Sequence, residues 1–266
     1  MIVCKLMIHE LTAELADTHC HLDFPEFNLD RNEVIRRAKD QRLRYIINIG
    51  SSLSGTRKSV ELSKQYGFIY ATCGIHPHEA DRVDDKILVE LKELAREDKV
   101  VAIGEIGLDY YKNYSKAENQ RSLFISLVKM AQDSGLPLVI HTRQAEEDTL
   151  KILKEAMPVK AVVHCFSGGQ EFLKECLTLG FFISYTCNIT YKKAQTLRDL
   201  VKATPLERIL LETDAPFLPP EGFRGRRNEP IYVKYLAQEI ARIKEITIEE
   251  VASVTTENAK TFFDLK

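Results

Sequence analysis

The chain lacks an excess of charge of either sign. Among its 266 residues, 37 lysines and arginines face 39 aspartates and glutamates, so the formal net charge is −2. No global basic field draws the protein to nucleic acid or to a membrane surface. Any contact with a polyanion must therefore come from a local patch.

Paired cysteines and long apolar runs are also lacking. The six cysteines form no Cys-x-x-Cys pair and no closely spaced framework, which in a chain of this length indicates reduced thiols. No apolar run approaches the roughly 18 residues of a membrane span. The first residues are too short a run, and too soon interrupted, for a secretory signal. We therefore expect a cytoplasmic protein with no membrane partner.

Three sequence motifs that would indicate other chemistry are missing. The chain has no Gly-x-Gly-x-x-Gly or Gly-x-x-x-x-Gly-Lys turn that would bind a nucleotide cofactor. It has no Gly-x-Ser-x-Gly elbow for Ser-His-Asp catalysis. We expect no organic cofactor and no serine nucleophile.

Eight apolar runs alternate with helical patterns along the chain. The predicted strands cover 11–16, 44–50, 68–74, 100–104, 138–141, 159–164, 180–184 and 209–212. The predicted helices begin at Asp30, as an N-cap with Glu33 in a capping box, and then cover 55–66, 84–98, 116–134, 145–156, 170–179 and 191–203, with two more begun by Pro230 and Thr247.

This alternation predicts an α/β protein with a TIM (β/α)8 barrel in a single domain over residues 14–266. Residues 1–13 form an N-terminal extension of uncertain role. The runs are continuously apolar, as expected for parallel strands covered on both faces, and the connections are too short for a second domain. A doubly wound open sheet is the rival architecture, but it usually has fewer strands.

Polar residues follow the predicted strands repeatedly, at the end where such barrels carry their active sites. Asp17, His19 and His21 share one face of the chain after the first strand, because alternate residues of an extended segment point the same way. The later strand ends carry His76, Glu105, His141, His164 and Asp214.

Four histidines and two carboxylates exceed the needs of one catalytic zinc-like ion, which keeps three protein ligands. His19, His21, His141, His164, Glu105 and Asp214 suit two divalent ions about 3.5–4 Å apart, with Glu105 bridging them. The chemistry predicted is hydrolysis by a metal-activated water, with Glu105 and Asp214 as the catalytic carboxylates and Asp214 accepting a proton. The metal is left open among zinc, magnesium and manganese.

Other polar residues are weaker candidates. Arg143, Arg226 and Arg227 are candidates for binding substrate phosphates, with Lys192, Lys193 and Arg224 near them in the chain; the alternative is solvated loop charge. His76 either faces the substrate or is a structural histidine before Pro77. Asp17 and Glu212 are candidates for orienting the metal-binding histidines, although Glu212 could equally make a plain strand-end hydrogen bond. Tyr110 and Tyr111 either stack on a base or simply pack.

Seven segments together resemble the TatD family of metal-dependent hydrolases, in order and over residues 14 to about 265. They are Asp17-Thr-His-Cys-His-Leu-Asp-Phe, Cys73-Gly-Ile-His-Pro-His, Ala102-Ile-Gly-Glu-Ile-Gly-Leu-Asp-Tyr, Leu138-Val-Ile-His-Thr-Arg, Val163-His-Cys-Phe-Ser-Gly, Leu210-Leu-Glu-Thr-Asp-Ala-Pro-Phe-Leu and Arg224-Gly-Arg-Arg-Asn-Glu-Pro. The chain departs from the family at 184–188, where a glycine usually follows the seventh strand, and in the dozen residues before the first strand.

The resemblance implies an amidohydrolase-like TIM barrel with a two-metal site and DNase activity, often as a 3′→5′ exonuclease on single-stranded DNA or RNA. It implies His19, His21, Glu105 and Asp214 as ligands of one ion, and Glu105, His141 and His164 as ligands of the other. The expected partner is a nucleic-acid end, and the expected state is a monomer. Two alternatives stay open: hydrolysis of another ester or amide bond, such as that of a D-aminoacyl-tRNA, and a non-catalytic metal-binding scaffold.

Overall fold

A computed structural model describes residues 13–266 as a barrel of eight parallel strands. Each strand is hydrogen-bonded to the next one in the chain. The strands are β1 Leu15–Cys20, β2 Leu43–Asn48, β3 Ile69–Cys73, β4 Val100–Asp109, β5 Leu138–Arg143, β6 Ala161–Val163, β7 Phe182–Tyr185 and β8 Ile209–Leu211. A parallel bridge between Cys20 and Ala215, beyond the end of β8, brings the first and last strands together.

Helices connect the strands and surround the barrel. They are α1 Arg31–Asp40, α2 Leu53–Gln65, α3 Asp85–Leu94, α4 Ala117–Ser134, α5 Glu146–Glu155, α6 Gln170–Thr178, α7 Gln195–Ala203, α8 Val233–Lys244 and α9 Ile248–Phe263. None of the helices described within residues 13–266 is long and apolar enough to cross a membrane. The predicted TIM barrel is confirmed.

Several helix ends follow directly from the local sequence. The hydroxyl of Thr247 accepts a hydrogen bond from the Glu250 backbone N–H at 3.1 Å, which caps α9 as predicted. Ser52 and Asp84 cap α2 and α3 in the same way. Gly135 ends α4 at φ 70°, a left-handed conformation that glycine adopts without steric cost.

The barrel interior is filled near the amino ends of the strands. Tyr45 and Ile47 of β2 belong to this inner cluster, whereas Ile46 between them packs with the helices, as the two-residue period of a strand requires. The side chains of Phe262 and Phe263, at the end of α9, pack into the same inner cluster. Apolar packing therefore closes one end of the barrel and leaves the carboxyl ends of the strands for polar residues.

Three strands differ from their predicted bounds in a way that affects the site. The sequence predicts the first strand over 11–16, but β1 runs to Cys20, so His19 lies within the strand. The sequence predicts the fourth strand over 100–104, but β4 continues to Asp109. Pairing with β5 continues over the same stretch, and it extends β5 past its predicted end at His141 to Arg143.

The predicted side-chain cap at the start of α1 is absent. Asp30 precedes α1, but its carboxylate makes no capping hydrogen bond, because both of its oxygens accept from Arg227 at 2.6 and 2.7 Å. The predicted capping box is therefore wrong.

Of the N-terminal extension, residues 1–12 lie outside the part of the chain that the structure describes.

Candidate active site

The six predicted metal ligands converge at the carboxyl ends of the strands. The three strand residues are His19 in β1, Glu105 in β4 and His141 in β5. The other three follow strands directly: His21 comes after β1, His164 after β6 and Asp214 shortly after β8. All six side chains are buried or half-buried.

Glu105 lies between two groups of histidines. Its Oε1 atom is 2.8 Å from His164 Nε2 and 3.0 Å from His141 Nδ1. Its Oε2 atom is 3.7 Å from His19 Nε2 and 3.9 Å from His21 Nε2. The two oxygens of one carboxylate thus face different pairs of nitrogens, which is the arrangement required of a bridging ligand.

Asp214 closes the group formed by His19 and His21. Its Oδ1 atom lies 3.5 Å from His21 Nε2 and 3.8 Å from His19 Nε2. The Asp214 backbone is left-handed, at φ 55°, and its N–H donates to the carbonyl of His19 at 2.8 Å. This bond ties the segment after β8 to β1 and turns the carboxylate toward the histidines.

Glycine allows β4 and β5 to approach closely beside Glu105. Gly107 has φ 139°, and a Cβ at this position would overlap the carbonyl of His141. The pairing between the two strands also shifts register between Ile103 and Ile106, where Glu105 lies. A larger residue at 107 would separate Glu105 from His141.

The histidines of the site differ in pKa, because burial lowers the pKa of some rings and a neighbouring carboxylate raises that of others. Burial lowers the pKa of His19 well below its usual range and that of His76 to about 3. Burial also opposes protonation of His164, yet the adjacent Glu105 carboxylate raises the pKa of His164 well above its usual range. Glu105 itself is buried, but His164 and His76 hold its pKa well below its usual range, so it is ionised.

The donor set fits divalent cations. The Nε2 atoms of His19 and His21 are 3.3 Å apart, about the separation of two nitrogens that each lie about 2.0–2.1 Å from a tetrahedral zinc-like ion. The adjacent Glu105 carboxylate favours a proton on the His164 ring, and a bound cation would displace that proton. His19, His21 and Asp214 form one group able to hold an ion, and Glu105 completes groups with His19 and His164 and with His76 and His141.

Glu212 supports two of the candidate ligands from behind. Its Oε1 atom lies 3.4 Å from His164 Nδ1, and its Oε2 atom lies 3.9 Å from His19 Nδ1. Glu212 also accepts hydrogen bonds from the Cys165 backbone N–H at 2.7 Å and from the Ser184 hydroxyl at 2.6 Å. Glu212 therefore makes the strand-end hydrogen bonds considered from the sequence and lies close to both rings, and its role in orienting the histidines stays a prediction.

Asp17 bonds to Thr213 and to the backbone of His19 rather than to the histidine rings. Its carboxylate accepts from the Thr213 N–H at 2.9 Å, from the Thr213 hydroxyl at 2.6 Å and from the His19 N–H at 3.3 Å. Burial raises the pKa of Asp17 to about 8. Asp17 thus holds the backbones that carry His19 and Asp214.

Sequence reasoning missed Asp109, a fully buried carboxylate in β4. Its Oδ2 atom lies 2.8 Å from His78 Nε2 and 3.3 Å from His141 Nε2, and it also accepts from the Arg143 guanidinium. Asp109 is buried, but hydrogen bonds from His141 and Arg143 hold its pKa well below its usual range. The available signal was its position four residues after Glu105, on the same face of a strand.

The structure separates the predicted substrate-binding residues. His76 lies at the site, with Nε2 3.6 Å from Glu105 Oε1. Arg143 lies at its edge, where it bonds to Asp109 and its guanidinium lies 4.9 Å from the centre of the Tyr111 ring. Arg227 pairs with Asp30 instead.

Three further candidates differ in their exposure: Arg226, which lies after β8, and Tyr110 and Tyr111, which follow β4. Arg226 is exposed. Tyr110 donates from its hydroxyl to Asp148 at 2.6 Å and packs against the core, whereas Tyr111 is 56% exposed.

A family model described as "TatD related DNase" matches residues 16–264. The chain is 44% identical over 251 residues to the "Uncharacterized metal-dependent hydrolase YabD" of Bacillus subtilis, covering 94% of this chain and 98% of that protein. The chain belongs to the TatD family of metal-dependent hydrolases.

Two further comparisons concern named members of this family. The TatD-family chain is 35% identical over 257 residues to the "3'-5' ssDNA/RNA exonuclease TatD" of Erwinia amylovora, covering 94% of this chain and 99% of that protein. The crystal structure of YJJV, a TatD homolog from Escherichia coli K12, superimposes with a TM-score of 0.89 at 32% identity, covering 95% of this chain and 98% of that one. The recognition made from the sequence motifs is therefore confirmed, and the protein is a metal-dependent hydrolase of the TatD type.

Proposed function

We propose that this hydrolase is a nuclease that uses two divalent ions to remove nucleotides from the 3′ end of single-stranded DNA or RNA. The observation that carries the proposal is the position of the Glu105 carboxylate, whose two oxygens face different pairs of histidines. That geometry suits a pair of ions clamping one phosphodiester group. The exonuclease name of the Erwinia amylovora relative supports the choice of substrate.

The bound ions would be held by His19, His21 and Asp214 on one side and by His141 and His164 on the other, with Glu105 between them. When bound, such ions supply Lewis acidity to a phosphoryl oxygen and lower the pKa of a coordinated water. Every other part of the proposed reaction falls to side chains of this chain.

Asp214 is the proposed proton acceptor. Its side chain is 15% exposed, against 6% for Glu105, so its carboxylate reaches the open side of the site. General-base transfer by a carboxylate placed in this way contributes about 10²–10⁴-fold to a rate. Glu105 has less access to solvent and more histidine contacts, which suits it to holding the ions.

His76 and the exposed cations are the proposed substrate contacts. Because the pKa of His76 is about 3, its ring is neutral and can donate an N–H to a phosphate oxygen without adding charge. Lys192, Lys193, Arg224 and Arg226 are exposed on loops joined by a 2.9 Å hydrogen bond from the Glu221 N–H to the Thr190 hydroxyl. These four cations form a short basic patch and not a basic face that could follow many phosphates along a strand.

A short patch favours binding of a chain end. Duplex binding draws on many phosphate contacts along a basic face and falls steeply with salt. Two candidate phosphate ligands are already paired with carboxylates, Arg143 with Asp109 and Arg227 with Asp30. We therefore propose that a flexible single-stranded end enters the site, with a shallow salt dependence.

The test offers metal-loaded protein linear and circular single-stranded DNA of the same sequence. Linear DNA should be shortened from its 3′ end while the circle stays intact. Equal rates on both would show that no free end is needed. RNA, D-aminoacyl-tRNA and a simple phosphodiester complete the screen, and turnover of the tRNA ester alone would replace the nuclease proposal with the deacylase alternative.

A further inference from the structure

The side chain of Phe217 stands beside the candidate metal site and is only partly covered by protein. It follows Asp214 by three residues and is 46% exposed. Its ring packs edge-on against that of Phe24, with centroids 6.0 Å apart and an interplanar angle of 78°. The ring of His21, a candidate metal ligand, lies 6.4 Å away and is itself stacked on Phe24 at 4.4 Å.

The segment that carries Phe217 is firmly held. The Phe217 N–H donates to the Asp214 carbonyl at 2.8 Å. The side-chain amide of Asn228, which is fully buried, donates to the carbonyls of Phe217 at 2.6 Å and Thr213 at 2.8 Å. The Asn228 N–H donates to the Pro216 carbonyl at 3.0 Å. The backbone on both sides of the ring is therefore fixed, and the ring is exposed without lying on a loose loop tip.

Two other phenylalanines of the same region are less exposed than Phe217. Phe27 is fully buried, and Phe223 stacks on Tyr232 with centroids 4.5 Å apart. Keeping an aromatic side chain in water is unfavourable, and covering it with a flat apolar ligand removes that surface from solvent. An exposed aromatic ring held at a fixed distance from the candidate metal site, where the phosphodiester group is proposed to bind, is the arrangement expected of a stacking surface for a base.

We propose that Phe217 stacks on one of the two bases that flank the scissile phosphate. This inference rests on the proposed function and deepens it, because it names what the site recognises besides phosphate. Every base has a flat π-face, so stacking does not depend on sequence. A base inside a duplex already stacks on both neighbours, so the ring selects unpaired bases.

The first test is kinetic. Phe217→Ala and Phe217→Leu are compared with the original protein on three single-stranded oligonucleotides: one intact, one abasic at the 3′-terminal nucleotide and one abasic at the next. We expect both variants to raise KM on the intact strand by about 5- to 150-fold, the range of stacking on one base. On the strand that lacks the contacted base, the variants and the original protein should have the same KM. Ile125→Ala is the matched control, since Ile125 is 53% exposed on α4.

The second test does not depend on hydrolysis. The chain contains no tryptophan, so Phe217→Trp introduces a single indole at this position. We expect its fluorescence to be quenched by an intact phosphorothioate oligonucleotide, which resists cleavage, and not by the strand that is abasic at the contacted position.

The two tests separate failure of this inference from failure of the proposed function. Hydrolysis of oligonucleotides with an equal KM for all Phe217 variants, and quenching that does not depend on the base, would overturn the stacking inference alone. Base-dependent quenching without any hydrolysis would overturn the nuclease proposal alone. A variant that fails to fold is recognised by its circular dichroism, and Phe217→Trp then decides the question.

Discussion

Asp109 and Glu105 hold the imidazole of His141 from opposite sides. Asp109 Oδ2 lies 3.3 Å from His141 Nε2, and Glu105 Oε1 lies 3.0 Å from His141 Nδ1. A carboxylate behind a metal-binding histidine fixes the tautomer and orientation of its ring. Because Asp109 also binds His78 and Arg143, one carboxylate organises this whole side of the site.

Replacing Asp109 should therefore weaken metal binding while the protein stays folded. For Asp109→Asn we expect a loss of about 10- to 100-fold in metal affinity, the usual cost of removing a partner of this kind. Competition against a chromophoric chelator measures the affinity. Asp133→Asn is the control, because Asp133 is exposed on α4 and its carboxylate contacts Lys129 rather than a residue of the site. An unchanged affinity in Asp109→Asn would show that His141 needs no support from this carboxylate.

The second prediction is that each chain binds two metal ions. Six ligand-type side chains meet around Glu105, which is more than one ion requires. We expect elemental analysis of protein loaded with excess zinc or manganese to give two ions per chain. A ratio that stays at one under saturating metal would contradict the two-ion site.

Asp214→Asn should separate binding from turnover. The amide keeps an oxygen that can face a cation but no longer accepts a proton, so much of the metal should remain. Turnover should fall by about 10²–10⁴-fold, the usual contribution of general-base transfer. Steady-state rates and metal content are measured on the same preparation. A near-normal rate with normal metal content would assign proton transfer to another group.

Arg226 and Arg227 should behave differently although they are adjacent. Arg227 donates to both oxygens of Asp30 and to the Glu26 carbonyl, so Arg227→Ala should lower the free energy of unfolding by about 1–2 kcal/mol. Arg226 is exposed, so Arg226→Ala should leave stability unchanged and raise KM for a single-stranded oligonucleotide. Urea unfolding and steady-state kinetics on both variants provide the measurement. Equal stability losses would show that the Asp30 pair contributes little.

Much of the site was predictable because a strand repeats every two residues and parallel strands end at one edge. That rule was enough to place His19, His141 and His164 near Glu105, and the structure brings them within 4 Å of its carboxylate. The eight-fold alternation of apolar runs was enough for the barrel, because each run was long and continuously apolar. Strand ends were less certain, since periodicity does not say how far pairing with a neighbour continues.

What the sequence alone determined about this protein is its barrel, its family and the set of residues available to bind metal. Tertiary structure alone decided how those residues are supported. Asp109 reaches His141 because β4 and β5 stay paired beyond Glu105. Arg227 meets Asp30 across 197 positions in the chain, which changes a candidate phosphate ligand into a structural ion pair. Composition and periodicity describe neighbours along the chain, whereas these contacts depend on which strands and loops the closed barrel brings together.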